Sequence, residues 1–136
     1  MNRSDLQRLA RVRAREANAL LQLRHYSGAF YLSGYSIECA LKACVAKQTQ
    51  RYDFPDKGRV VDSYTHNLTE LLRLAELRPD MTADSRVNST LGANWATVRR
   101  WTEASRYEVK TQTEAQDMIR SVSGRGGVLP WIVQRW

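Results

Sequence analysis

Apolar side chains return every three or four residues in at least four separate stretches, the interval at which an α-helix turns one face inward. Between residues 4 and 24 they are Leu6, Leu9, Ala10, Ala17, Leu20 and Leu21, with Ser4 placed to cap the start. The polar positions here hold Arg3, Arg8, Arg11, Arg13 and Arg15 against only Asp5 and Glu16. A second helix is predicted from Tyr26 to Gln50, with Phe30, Ile37, Leu41 and Val45 on one side. Ser27, Gly28, Ser33, Gly34 and Ala40 lie between them, small enough to let a neighbouring helix come close. Such a helix runs about 37 Å. Gly34 in its middle costs about 1 kcal/mol relative to Ala, which close packing can offset.

From Arg51 to His66 the chain carries Pro55, Gly58 and several charges without a helical period, and a loop is expected. Asn67 with Glu70 is a capping-box signature, and Leu68, Leu71, Leu72 and Ala75 follow until Pro79 ends the run. A fourth helix is predicted from Thr82 or Asp84 to Trp101, with Val87, Leu91, Trp95, Val98 and Trp101 as its inner stripe. Thr113 with Gln116 opens a short helix to Ser123 that buries Ala115, Met118, Ile119 and Val122. GRGG breaks it, and GVLPWIVQRW closes the sequence in one or two helical turns with Pro130 near their start. The expected architecture is all-α: one domain over residues 1–136, an up-and-down bundle of four main helices plus one or two short C-terminal helices.

Composition agrees with this pattern. Three prolines and seven glycines are too few to punctuate many short strands, and 43% hydrophobic with 26% charged residues is a globular balance. Cys39 and Cys44, five apart, point in different directions from one helix and read as buried thiols. With two histidines besides, the set is too small and scattered for a zinc site, and no metal or cofactor is expected. MNRSDLQRLARVR lacks the apolar run of a signal peptide, and no stretch approaches the roughly 18 apolar residues of a membrane span. A cytoplasmic location without membrane contact is therefore expected. Twenty-one basic against fourteen acidic residues leave a net charge of +7, and arginine supplies most of the excess. Arginine's planar fork suits phosphate or carboxylate, although solubility alone accounts equally well for such a charge.

Chemistry-bearing positions are few. Glu38 and Lys42 stand at i and i+4, so a within-helix ion pair accounts for them, and Tyr35 joins them as a polar candidate of the second helix. No Gly-rich phosphate loop precedes a Lys-Ser/Thr pair, and the serines lack a nucleophile-elbow context. No carboxylate pair is set for glycoside hydrolysis.

Three stretches, AFYLSGYSIECALKA, YTHNLTELL, and WATVRRWTEASRY followed by GGVLPWI, together resemble the HEPN family (higher eukaryote and prokaryote nucleotide-binding domain). The similarity runs from about Tyr26 to the end. It implies four main helices with short additions, homodimers, and residence beside nucleotidyltransferases or in toxin–antitoxin and phage-defence systems. Many members are metal-independent ribonucleases in which an arginine and, four to six positions later, a histidine meet the RNA. The arginine stabilises the pentavalent phosphate and the histidine moves a proton. Arg106 stands where that arginine falls, but positions 110 to 113 read Lys, Thr, Gln, Thr, so Arg106 with Tyr107 resembles the RY variant of the family. Arg59 and His66 in RVVDSYTH, with six residues between them, come near that spacing but lie in the loop and the approach to the third helix instead. There His66 is accounted for as a helix-opening residue whose ring bonds a backbone group or caps the turn.

The expected function is a HEPN-like homodimeric binding module. Arg8, Arg11, Arg15, Arg99, Arg100, Arg106 and Tyr107 would face RNA, a nucleotide or a partner nucleotidyltransferase. The alternative is a metal-independent endoribonuclease toxin with Arg106 or Arg59 at the phosphate and His66 as the proton carrier.

Overall fold

Asn2, and not Ser4, opens the first helix: its side chain accepts from Asp5 N, and the Asp5 carboxylate accepts in return from Asn2 N. This is seen in a computed structural model that describes residues 1–51 and 62–136. Helix α1 (Arg3–Gln22) buries Ala10, Ala14 and Ala17, a face of small residues that draws it close to α2 (Tyr26–Arg51). Between them Arg24 adopts φ 64°, with Arg24 N bonded to Leu21 O and His25 N to Leu20 O. This Schellman turn reverses the chain within three residues.

Helix α2 is the central rod. Its middle, from Ser36 to Leu41, is buried all round, where periodicity had placed Phe30, Ile37, Leu41 and Val45 on one side. It contacts α1, α3 (Leu68–Leu74), a 3-10 turn (Glu103–Tyr107), α6 (Gln112–Ser123) and α7 (Val128–Val133). A helix covered on every side presents no single apolar stripe. The core joins Ile37, Leu41 and Cys44 of α2 to Leu68 and Leu71 of α3, Met118 and Val122 of α6, and Ile132 of α7.

The predicted fourth helix is two. Pro79 does not stop a run but sits in the first turn of α4 (Arg78–Val87), where its missing N–H breaks no helical bond. Asn88, extended at φ −128° and ψ 93°, ends α4 and caps α5 (Ser89–Val98), its side chain accepting from Leu91 N at 3.1 Å. The break leaves Val87 88% exposed instead of on an inner stripe, while Leu91, Trp95, Val98 and Trp101 are buried as expected. Helix α6 is capped by Thr111 with Glu114, two residues earlier than Thr113 and Gln116 would have it.

Among the described residues, seven α-helices and one 3-10 turn thus make an all-α bundle with no strand. None of these helices is long and apolar enough to cross a membrane. Cys39 and Cys44 are free, buried thiols. The expected loop lies largely outside the described residues, and Arg59 with it.

Candidate functional site

Four residues of α2, Tyr31, Tyr35, Glu38 and Lys42, follow one another at steps of four, three and four, which puts them on a single stripe. Two elements meet that stripe. One is the segment ahead of α3, fixed by Asn67 capping Glu70 N at 3.0 Å and by Thr65 Oγ1 accepting from Asn67 N at 3.1 Å. The other is the segment from Trp101 through the 3-10 turn.

The first brings His66 to Glu38. Glu38 Oε1 accepts from Lys42 Nζ at 2.8 Å and lies 2.9 Å from His66 Nδ1. The carboxylate is 3% exposed, the ammonium-bearing chain 22% and the imidazole 49%, so a buried anion anchors two outward-facing groups. A carboxylate can only accept, so Nδ1 carries the ring proton in this pairing and Nε2 is left as the basic nitrogen. The expected Glu38–Lys42 pair is present. His66, however, bonds a carboxylate side chain instead of a backbone group, because α2 presents Glu38 at the point where the chain enters α3.

The second element stacks aromatic rings. Tyr31 lies over Tyr35 with centroids 6.0 Å apart, and over Trp101 at 5.8 Å. Arg106, exposed on the 3-10 turn, sits 4.9 Å from the centre of the Tyr107 ring and has its charged form favoured first by Tyr107 and then by Tyr31. Tyr107 is 80% exposed.

Helix α1 adds Arg13, whose guanidinium bonds Glu16 at 2.6 Å and lies within electrostatic reach of Tyr35 and Cys39. Burial raises the Tyr35 phenol, with Cys39 and Glu38 adding to it, so the hydroxyl stays protonated. Burial, then the Glu38 charge, pushes the Cys39 thiol up to about 11, which makes it a poor nucleophile at neutral pH.

The sequence-predicted residues fall into separate groups. His66, Glu38, Lys42 and Tyr35 come together, and Arg106 with Tyr107 stands at the Tyr31 end of the same stripe. No hydrogen bond or ion pair joins Arg106 to His66 among the described residues. Arg8, Arg11 and Arg15 are exposed along α1, where Arg8 reaches Asp5 at 3.5 Å and Arg11 lies over Trp136. Arg99 and Arg100 are exposed after α5. Sequence reasoning passed over Arg13 and Tyr31 as site residues. The four-three-four spacing of α2 was the available signal for Tyr31, whereas nothing local marks Arg13.

Chemically, the stripe offers an oriented imidazole, an ammonium, two guanidinium groups and stacked phenols. Among the described residues no three His, Cys, Asp or Glu side chains converge as a metal ion would require. In comparisons with known proteins, no family model, no curated protein and no solved structure matches the chain.

Proposed function

We propose that the chain is a HEPN-like module that binds single-stranded RNA along the α2 stripe, acting as a homodimer in a toxin–antitoxin or defence setting. The observation that carries this reading is the alternation of rings and cations on one face. Tyr31, Tyr35 and Tyr107 offer π-surfaces; Arg106 sits over Tyr107, Arg13 lies within electrostatic reach of Tyr35, and Lys42 follows on the same α2 stripe. Single strands are held by this combination, because every base has a face to stack and every linkage a charge to neutralise. It favours RNA over a companion nucleotidyltransferase, for which no apolar docking face is needed to explain these residues. Labelled single-stranded RNA titrated at two salt concentrations tests the reading. Binding that weakens steeply with salt, and by at least about tenfold in Arg106→Gln/Tyr107→Ala, is expected. Absence of binding at the lower salt removes the proposal.

One observation favours a second reading, metal-independent cleavage of RNA. Glu38 fixes His66 with Nδ1 protonated and Nε2 free to take a proton from a 2′-hydroxyl, while Lys42 stands by the same carboxylate. RNA incubated with the protein in EDTA distinguishes the two. Cleavage that is lost in His66→Ala establishes the ribonuclease, and intact RNA at high protein concentration leaves binding alone.

A further inference from the structure

The two oxygens of the Glu38 carboxylate are unequally used. Oε1 accepts from Lys42 Nζ at 2.8 Å and lies 2.9 Å from His66 Nδ1. Oε2 is buried and accepts from no described residue. Glu38 as a whole is 2% exposed, whereas the His66 and Lys42 side chains bonded to it face outward.

A buried carboxylate oxygen without a donor is costly, and a ligand that supplies one relieves that cost. Each oxygen carries two lone-pair sites, so Oε2 has room for two N–H groups. Tyr35 stands three residues before Glu38 on the same stripe, and the Glu38 charge reaches its phenol. A base stacked at Tyr35 is then about 4.5 Å along the helix axis from the carboxylate, close enough to present its edge there.

We infer that Glu38 selects guanine in a bound single strand, Oε2 accepting from the N1–H and N2–H of its Watson–Crick edge as the half-exposed imidazole of His66 swings aside. Guanine alone among the four bases sets two donors side by side on that edge. Adenine and cytosine place a ring-nitrogen acceptor beside their amino group, and uracil flanks its N–H with two carbonyls, so each turns a lone pair toward the anion. Unpaired bases in RNA are read at this edge by hydrogen bonds. The inference rests on the reading of the stripe as a strand-binding face and adds which base that face selects.

Fluorescence anisotropy with the full chain at low salt tests it, using labelled oligouridylate strands that carry one central guanosine, inosine, adenosine or cytidine. Inosine keeps N1–H and lacks the amino group. The guanosine strand is expected to bind at least about tenfold tighter than the adenosine, cytidine or all-uridine strand, with inosine between. Glu38→Gln should erase the ratio between guanosine and uridine strands, whatever it does to their common affinity. The inosine comparison on the unaltered chain makes the same test without depending on how that variant folds. His66→Ala should retain the ratio, because the imidazole is displaced and does not read the base. Equal affinity for all strands overturns the inference and leaves the strand-binding face standing, whereas no binding of any strand removes both. A preference for another base, or a guanosine preference that survives Glu38→Gln or disappears in His66→Ala, gives the selection to another group and overturns the inference as well.

Discussion

The indole of Trp101 fills the space above Gly34: a β-carbon on residue 34 would stand 2.1 Å from Trp101 Cδ1. Trp101 is 2% exposed and stacks on Tyr31, so it cannot yield without disturbing the ring stack. Gly34→Ala gains about 1 kcal/mol of helix propensity and loses more to the clash. A net destabilisation of about 1–3 kcal/mol is expected in urea denaturation, accompanied by a changed tryptophan emission. Unchanged stability would mean that the close approach is not maintained in solution.

Arg24 holds a left-handed backbone that costs an L-residue roughly 1–2 kcal/mol. Arg24→Gly removes that strain and adds some freedom to the unfolded chain, so a net gain of about 0.5–1 kcal/mol is expected. A thermal scan should show the midpoint rising by about 2–4 °C. A lower midpoint would count against the Schellman turn.

Thr111 Oγ1 accepts from Glu114 N at 3.2 Å, and the Glu114 carboxylate accepts from Thr111 N at 3.1 Å. The carboxylate also accepts from Thr111 Oγ1 at 3.1 Å, and its two bonds from Thr111, backbone first, favour the ionised form and hold Glu114 below its usual range. Thr111→Ala should cost about 1 kcal/mol, whereas Thr113→Ala, two residues past the cap and exposed, should cost almost nothing. Equal effects in paired denaturation curves would place the cap elsewhere.

Burial pushes both Cys39 and Cys44 up to about 11 from a thiol's ordinary 9.0. Between those values the unfolded chain has lost thiol protons that the folded chain retains. Stability is therefore intact below about pH 9 and falls as pH rises through that window. Near pH 10.5 the loss is on the order of 2 kcal/mol per thiol. Cys39→Ala/Cys44→Ala should flatten this alkaline limb relative to the parent. An unchanged limb would assign it to other groups, such as Lys110, whose pairing with Glu108 also raises its pKa.

The all-helical architecture was legible because helices α1, α3 and α6 each bury one face, and one buried face writes itself into a sequence as a period. Where burial is not one-sided, the pattern misled. Helix α2 hid its coverage on both flanks, and the α4–α5 break hid because Asn88 caps one helix at the position where an uninterrupted stripe would continue. Pro79 and Thr113 failed for a related reason: a proline in a first turn and a threonine just inside a helix look, in one dimension, like a stop and a cap. The site was half legible. Glu38 and Lys42 announced their pairing through i, i+4 spacing, but His66 joins Glu38 across 28 positions, a proximity that only tertiary packing creates. The distribution of arginines over separate surfaces was equally invisible to a net charge.

The end of the chain is fastened to three earlier helices. Lys47 of α2 donates to Arg135 O at 3.0 Å, the Arg135 guanidinium grips Asp84 of α4, and Arg11 of α1 covers the Trp136 ring at 4.9 Å. These contacts span most of the described polypeptide, so the α1–α2 hairpin can form early while its final seating must await residues 135 and 136. Substitutions at Trp136 or Asp84 would then chiefly accelerate unfolding, while those along the α1–α2 contact would slow folding, in stopped-flow chevrons.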